Sequence, residues 1–565
     1  MSHPTGPHAG RRTTSNGASR SPEQPGEGPR HRWAALGVLA AALAMIVLDG
    51  TIVGVALPRI IDDLELHLTE AQWVNSLYAM VFAALLLASG RLGDRVGRRL
   101  LLVIGVLVFV GGSLAAGSAD GPTMLIASRA VQGVGGALVL PATLSTVNAT
   151  FRGRDRATAF GVWGAVMAGT AAIGPLLGGW LTTIADWRWI FYVNVPIGVA
   201  VLVGAFLVVP ETRGQKGGRG VDVDGVLLSG AGMALVVFGL IEATALGWWR
   251  PKDDFSLWGL TWPQTWPVSP VPVALLVGAA LLMIFVRWEL HRAVVGRSAL
   301  LDLTLFSVPT FSWGNLTAMA VAAGEFALVF VLPLYLVNAA GMSIMRAGVV
   351  LAAMAFGAFL AGSSARVLAE RWSAATVVVG GLVLELLGLV LLALATRPDL
   401  STWLMVVPLV VYGVGLGLAS AQLTSTVLRD VPPEQSGSAS ATQSTVRQIG
   451  SAIGSAVAGT SLAAALAWVL PRQLDGIPHL DPGQAAQLQS AVIDSAGGVI
   501  PMVRAGAGPF AQLGDAAPAV ARALADGFGA ATGISVAMAA GFLALGLLGA
   551  IRVAVVARAT DQPKD

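Results

Sequence analysis

A chain of 565 residues that is 55% apolar and only 12% charged, with a mean hydropathy of +0.73, has too little polar surface to cover a water-soluble globule. The formal charge of +3 is too small to point to nucleic acid, and the absence of Cys removes disulfides and thiol chemistry. What remains is a multi-span membrane protein.

Residues 1 to 32 are rich in Pro, Gly, Ser and Arg and hold no apolar run, so they are expected to form a disordered cytoplasmic tail. A membrane helix needs about 20 apolar residues to cross a hydrocarbon core of about 30 Å. Fourteen such runs follow, at 33 to 57, 71 to 90, 100 to 118, 122 to 148, 158 to 182, 189 to 209, 223 to 246, 269 to 287, 310 to 336, 346 to 365, 374 to 396, 401 to 422, 440 to 468 and 529 to 555. The expected fold is therefore all-α and integral to the membrane, with fourteen transmembrane helices. With both termini inside, most of the 35 Lys and Arg fall on the cytoplasmic side, which supports this orientation, and residues 556 to 565 then form a second cytoplasmic tail. Residues 469 to 528 are left as a long external loop with room for a short hairpin or helices such as PAVARALADGF.

Soluble chemistries find little footing. The Lys residues are Lys216, Lys252 and Lys564, none followed by Ser or Thr, so no phosphate-cradling Walker loop exists. The six His lie outside the spans without metal-ligand spacing, and no G-x-S-x-G occurs, so no metal, cofactor or catalytic nucleophile is expected.

The chain is internally repeated. Residues 133 to 147, GVGGALVLPATLSTV, match GVGLGLASAQLTSTV at 413 to 427 in seven of fifteen positions at an offset of 280. GRLGDRVGRR (90 to 99) has a degraded partner in ARVLAERW at an offset of 276. Such duplication marks many secondary transporters. It divides the chain into a six-helix half at 33 to 210, a two-helix insert with linkers at 211 to 305, and a second six-helix half at 306 to 555.

Charges inside the spans are the candidate functional residues, because a charge at span centre costs roughly 2.5 to 3.5 kcal/mol on insertion scales and normally faces protein or water. Asp49 lies in span 1, Arg129 in span 4, and Glu325 in span 9 eight residues before Pro333, much as Asp49 precedes Pro58. Arg129 is the natural partner for Asp49, and the repeat places Leu409 at its counterpart, so the fold does not itself demand a cation there. Asp49 suits either proton exchange, cation contact or a structural tie. Glu385 in span 11 is open between a functional and a packing role. Arg447 sits on a polar stripe with Gln443, Ser444 and Ser451, which either lines a cavity or joins helices.

Several stretches together resemble the fourteen-span drug:proton antiporter branch of the major facilitator superfamily. LDGTIVGVALP (48 to 58) is similar to its first-span motif, GRLGDRVGRR to its signature cytoplasmic loop, and RAVQGVGG (129 to 136) to its fourth-span motif. Gly174-Pro175 with Gly178-Gly179 resembles its antiporter motif, and WRWIFYVNVPIG (187 to 198) is typical of fourteen-span members. The resemblance implies a major facilitator fold and proton-driven export of small hydrophobic or cationic drugs and antibiotics across a bacterial cytoplasmic membrane. It implies no cofactor, the proton gradient being the energy source. Asp49, Arg129 and Glu325 would serve coupling and substrate binding, with Glu385, Arg447 and Gln443 as further cavity residues. Gly90, Asp94, Arg95, Gly97, Arg98 and Arg99 would form a cytoplasmic gate. A proton-coupled metabolite symporter and a non-transporting membrane enzyme or sensor are the alternatives. The scarcity of Lys against Arg suggests a GC-rich genome, such as an actinobacterium's.

Overall fold

The computed structural model describes residues 29–151, 153–213, 222–257, 260–297, 300–301, 303–396, 402–431, 436–475, 477–478, 480–507, 510, 513–514 and 516–561. The expected tails at 1 to 32 and 556 to 565 lie in part outside these residues. Backbone polar groups in hydrocarbon must bond one another, so long apolar runs become helices. In chain order they are α1 (Pro29–Asp63), α2 (Leu68–Val96), α3 (Arg98–Gly117), α4 (Pro122–Thr150), α5 (Gly153–Ile184), the single turn α6 (Trp189–Tyr192), α7 (Asn194–Val208) and α8 (Val223–Leu246). A two-stranded antiparallel hairpin follows, β1 (Phe255–Leu257) and β2 (Leu260–Trp262), with Phe255 opposite Trp262. Then come α9 (Pro270–Val294), α10 (Pro309–Leu334) running on into a π-helical turn at Tyr335–Ala339, α11 (Ile344–Trp372), α12 (Ala374–Ala395), α13 (Thr402–Val427), α14 (Ser436–Leu474), α15 (Pro482–Asp494), α16 (Val499–Ala505) and α17 (Ala517–Asp561).

Among the described residues, twelve helices are long and apolar enough to cross a membrane. Helices α2 and α5, of 29 and 32 residues, stand at the second and fifth expected spans without being among those twelve. Large apolar side chains such as Leu207, Leu276 and Leu394 are more than two-thirds exposed, the outward face that a lipid-embedded bundle presents.

Two expectations are corrected. The stretch from Gly90 to Arg99 is not a loop: α2 runs to Val96 and α3 starts at Arg98, so Gly90 and Gly93 are helical and the reversal rests on Gly97 alone, at φ 125°. A side chain there would also meet the Glu211 carboxylate at 2.7 Å. The segment expected as a long loop at 469 to 528 is shorter, because α14 continues to Leu474 and α17 begins at Ala517, with α15 and α16 between. Polar residues mark where the apolar stretches stop, whereas the helices project past them.

Helix α3 packs on α4, α12 on α13, α2 on α14, α5 on both α1 and α11, and α8 on α9. Helix α8 also rests against α2 and α14. One end of the α8–α9 pair is tied by Asp222, which caps α8 through Gly225 N–H at 2.9 Å, accepts from Trp288 Nε1 at 3.0 Å and pairs with Arg292 at 3.1 Å. Burial pushes the Asp222 carboxyl up, but Trp288, Gly225, Glu289 and Arg292 outweigh it and hold it below the ordinary 3.8.

Candidate functional site

Asp49 lies at the middle of α1, fully buried, and its carboxylate is saturated with donors. Arg129 Nη1 of α4 contacts Oδ2, while Gln132 Nε2 of α4 and Asn194 Nδ2 of α7 donate to Oδ1 at 2.9 and 3.0 Å. Ser113 of α3 closes the ring, its hydroxyl accepting from both Gln132 and Asn194 at 2.8 and 3.2 Å. Arg129 in turn donates through Nε to Val74 O of α2 at 3.2 Å and lies over the Tyr78 ring at 4.2 Å. One aspartate and one arginine thereby bind five helices. An ion pair so deeply desolvated is held by the further hydrogen bonds that both of its members make. Removing one member leaves an uncompensated charge, at a cost of about 3–5 kcal/mol.

Arg129 is thus brought to Asp49 as expected. Gln132, Asn194, Ser113 and Tyr78 were not among the expected site residues. Two of them carried a signal: Gln132 is inside RAVQGVGG and Asn194 inside WRWIFYVNVPIG.

The glycines of α5 border the same motif. A methyl at Gly174 would strike Thr51, and one at Gly178 would meet Ile52 O at 3.0 Å, both residues within one turn of Asp49 in α1. Gly179 faces the other way, toward Ile344 and Gly348 of α11, and a methyl on Gly348 would meet Pro175 O at 2.7 Å. Gly174, Pro175, Gly178 and Gly179 therefore hold α5 in close contact with α1 on one side and α11 on the other.

At the α2–α3 reversal, Arg98 donates to Ser145 O of α4 at 3.0 Å, and Arg99 reaches Val209 O at 3.4 Å and the Glu211 carboxylate at 3.9 Å. These contacts join neighbouring helix ends. The Asp94 side chain lies outside the described residues.

In the later helices, Glu325 of α10 and Arg447 of α14 approach to 3.8 Å, with side chains 23% and 33% exposed. Asp49 and Glu325 therefore differ: one is sealed, the other partly open. Gln443 donates to Thr424 of α13 at 3.3 Å, and Ser451 and Ser455 bond within α14, while Gly450 and Gly454 press on the α10 backbone. The stripe thus joins helices over much of its length and is partly open at Arg447. Glu385 of α12 is fully buried. Glu242 is held by Trp73 Nε1 at 2.9 Å, a structural tie from α8 to α2. A cavity of about 330 Å³ lined by Ala339, Arg504, Arg522 and Asp526 touches none of the expected site residues.

A family model described as Major Facilitator Superfamily matches residues 39–455. The chain is 35% identical over 441 residues to the probable actinorhodin transporter of Streptomyces coelicolor, covering 76% of this chain and 72% of that one. It is 32% identical to the multidrug efflux pump LfrA of Mycolicibacterium smegmatis (76% and 81% covered), and 28% identical to the tetracenomycin C resistance and export protein of Streptomyces glaucescens (91% and 91%). Among solved structures, a bacterial homolog of the human lysosomal transporter Spinster, in an inward-facing conformation, covers 94% of this chain and 98% of its own length at a TM-score of 0.58 and 17% identity, a likeness of fold. With its repeated all-helical bundle and a family match over most of its length, the chain belongs to the Major Facilitator Superfamily, a family of transporters and not of enzymes.

Proposed function

We propose that this protein is a proton-coupled antiporter that exports hydrophobic compounds, cationic ones included, from a bacterial cytoplasm by alternating access. The fourteen spans would comprise two six-helix halves around the α8–α9 insert, with both termini cytoplasmic. The observation that carries the reading is the buried Asp49–Arg129 pair tying α1 to α2, α4 and α7 beside the glycine face of α5. A proton arriving at Asp49 cancels the charge that holds Arg129, so proton uptake loosens α1 where it meets α5. Through Gly179 and Gly348 that motion reaches α11. Glu325 and Arg447, partly open between α10 and α14, are the proposed contact for a cationic substrate, with Gln443 on the same helix as Arg447. Gly97, Arg98 and Arg99, with Gly90, Asp94 and Arg95 at the end of helix α2, are the proposed cytoplasmic gate. The similarity to named drug and antibiotic exporters supports the substrate class.

The test is accumulation of a fluorescent lipophilic cation in efflux-deficient bacteria expressing the protein. Lower accumulation that returns to the control level when a protonophore is added supports the reading. Equal accumulation with and without expression, across a panel of lipophilic cations and neutral antibiotics, contradicts it.

A further inference from the structure

Helix α8 lies across the seam where the first repeat half meets the second. Its Met233, Val237 and Ile241, spaced by four residues on one face, share a buried cluster with Ala79 and Met80 of α2 and Ala452 and Ala456 of α14. Beside α8 the seam itself is closed. Gln72 Nε2 of α2 donates to Ala456 O of α14 at 2.7 Å, Ser76 Oγ donates to Ala452 O at 3.4 Å, and Gly459 of α14 leaves no room for a Cβ against the Gln72 side chain. This is the end of the bundle where α2 begins and α8 finishes, opposite the Gly97 reversal.

Two polar bonds, two residues apart on α8, fasten it to both sides of the seam. Glu242 accepts from Trp73 Nε1 of α2 at 2.9 Å, and Leu240 O accepts from Thr460 Oγ1 of α14 at 2.6 Å. One helical turn cannot follow α2 and α14 in different directions, and a hydrogen bond is gone beyond about 3.5 Å, so parting the seam must break one of the two. The two sides are unequal. Letting go of Trp73 strips a half-buried carboxylate of its indole donor and separates the Trp73 and Phe238 rings, whose centroids lie 6.5 Å apart. Letting go of Thr460 costs less, because its hydroxyl has a second acceptor, Ala456 O, at 2.9 Å. In the closed seam that carbonyl is already taken by its own helix and by Gln72. When Gln72 withdraws, a lone pair comes free and the Thr460 hydroxyl turns onto it.

Resting on the alternating-access reading, we propose that the α8–α9 insert is a strap over the α2–α14 seam, which stays on α2 and releases α14 at Thr460 when this end of the bundle opens. While fastened, it biases the protein toward the conformation closed at this end. The Thr460 hydroxyl exchanges Leu240 O for Ala456 O in the same movement that takes Gln72 off Ala456 O, so α14 is left with no unpaired hydroxyl.

The chain has no Cys, so introduced cysteines are the label sites. Asp62→Cys, Ala245→Cys and Asp475→Cys, at exposed positions on α1, on α8 and just past α14, are spin-labelled in pairs on full-length protein in lipid nanodiscs. Pulsed electron resonance then reads each distance in acidic and in alkaline buffer. As the 62-to-475 distance lengthens, the 245-to-475 distance is expected to lengthen with it while the 245-to-62 distance holds. Thr460→Val, which removes the hydroxyl at nearly equal bulk, should raise the ratio of open to closed populations about fivefold. Ser461→Ala removes only a bond to Ala458 O within α14 and should leave that ratio at the parent level. A 245-to-475 distance that holds while the 245-to-62 distance lengthens, or a Thr460→Val ratio equal to the parent's, overturns the strap and leaves alternating access standing. No lengthening of the 62-to-475 distance in any protein or buffer overturns both.

Discussion

Arg129 meets Asp49 across the α1–α4 contact in a setting where neither side chain touches solvent, while Leu409, the counterpart of Arg129 in the repeat, carries no charge at all. The pair is therefore an addition to the fold and no requirement of it. That distinction makes its energetics separable. Arg129→Leu alone strands a buried carboxylate and should lower stability by about 3–5 kcal/mol, whereas Asp49→Asn with Arg129→Leu should recover most of that loss. Thermal unfolding in detergent checks the stability cycle. Transport should stay low in the double variant, since the protonatable group is gone.

The α5–α11 contact gives a second outcome. Gly348 lies so near Pro175 O that Gly348→Ala must push the helices apart by several tenths of an ångström, which overpacked interiors resist at about 1–3 kcal/mol. Efflux is expected to fall at least severalfold with surface expression retained. Gly111→Ala in α3, where a methyl would meet nothing within 4 Å, should leave efflux near the parent level.

Asp222 supplies a pH-dependent outcome in the α8–α9 pair. Its carboxyl is held below 3.8 in the folded protein, so the ionised form is favoured by folding. The stability it contributes is present above about pH 4 and is lost as pH falls through the depressed folded value. Asp222→Asn should melt several degrees below the parent at pH 7, and the gap should close on acidification below about pH 4. A gap unchanged across that range would show that Asp222 acts by shape alone.

Helices, their order and the repeat were legible because hydrocarbon imposes length and apolarity on every span. The pairing of Asp49 with Arg129 was legible too, since two charges in lipid seek each other. Their neutral partners were not: Gln132, Asn194 and Ser113 are ordinary polar residues, and only the fold brings α3, α4 and α7 around one carboxylate. Helix ends were misread at GRLGDRVGRR because glycine and charge signal a loop in water, yet helices project past the apolar stretch and only Gly97 breaks the chain. Glu385 looked ambiguous for a related reason: its buried, unpartnered state becomes visible only beside Gly415 and Tyr412 on the neighbouring helix.

The most direct test of proton-coupled export is proton movement in inside-out membrane vesicles that hold a preformed pH gradient, recorded as lipophilic cations and neutral antibiotics are added. The parent should partly collapse the gradient in a substrate-dependent way, and Asp49→Asn and Arg129→Ala, matched for expression, should each reduce the response by at least tenfold. No response from the parent to any compound, or an undiminished response from both variants, would contradict the account.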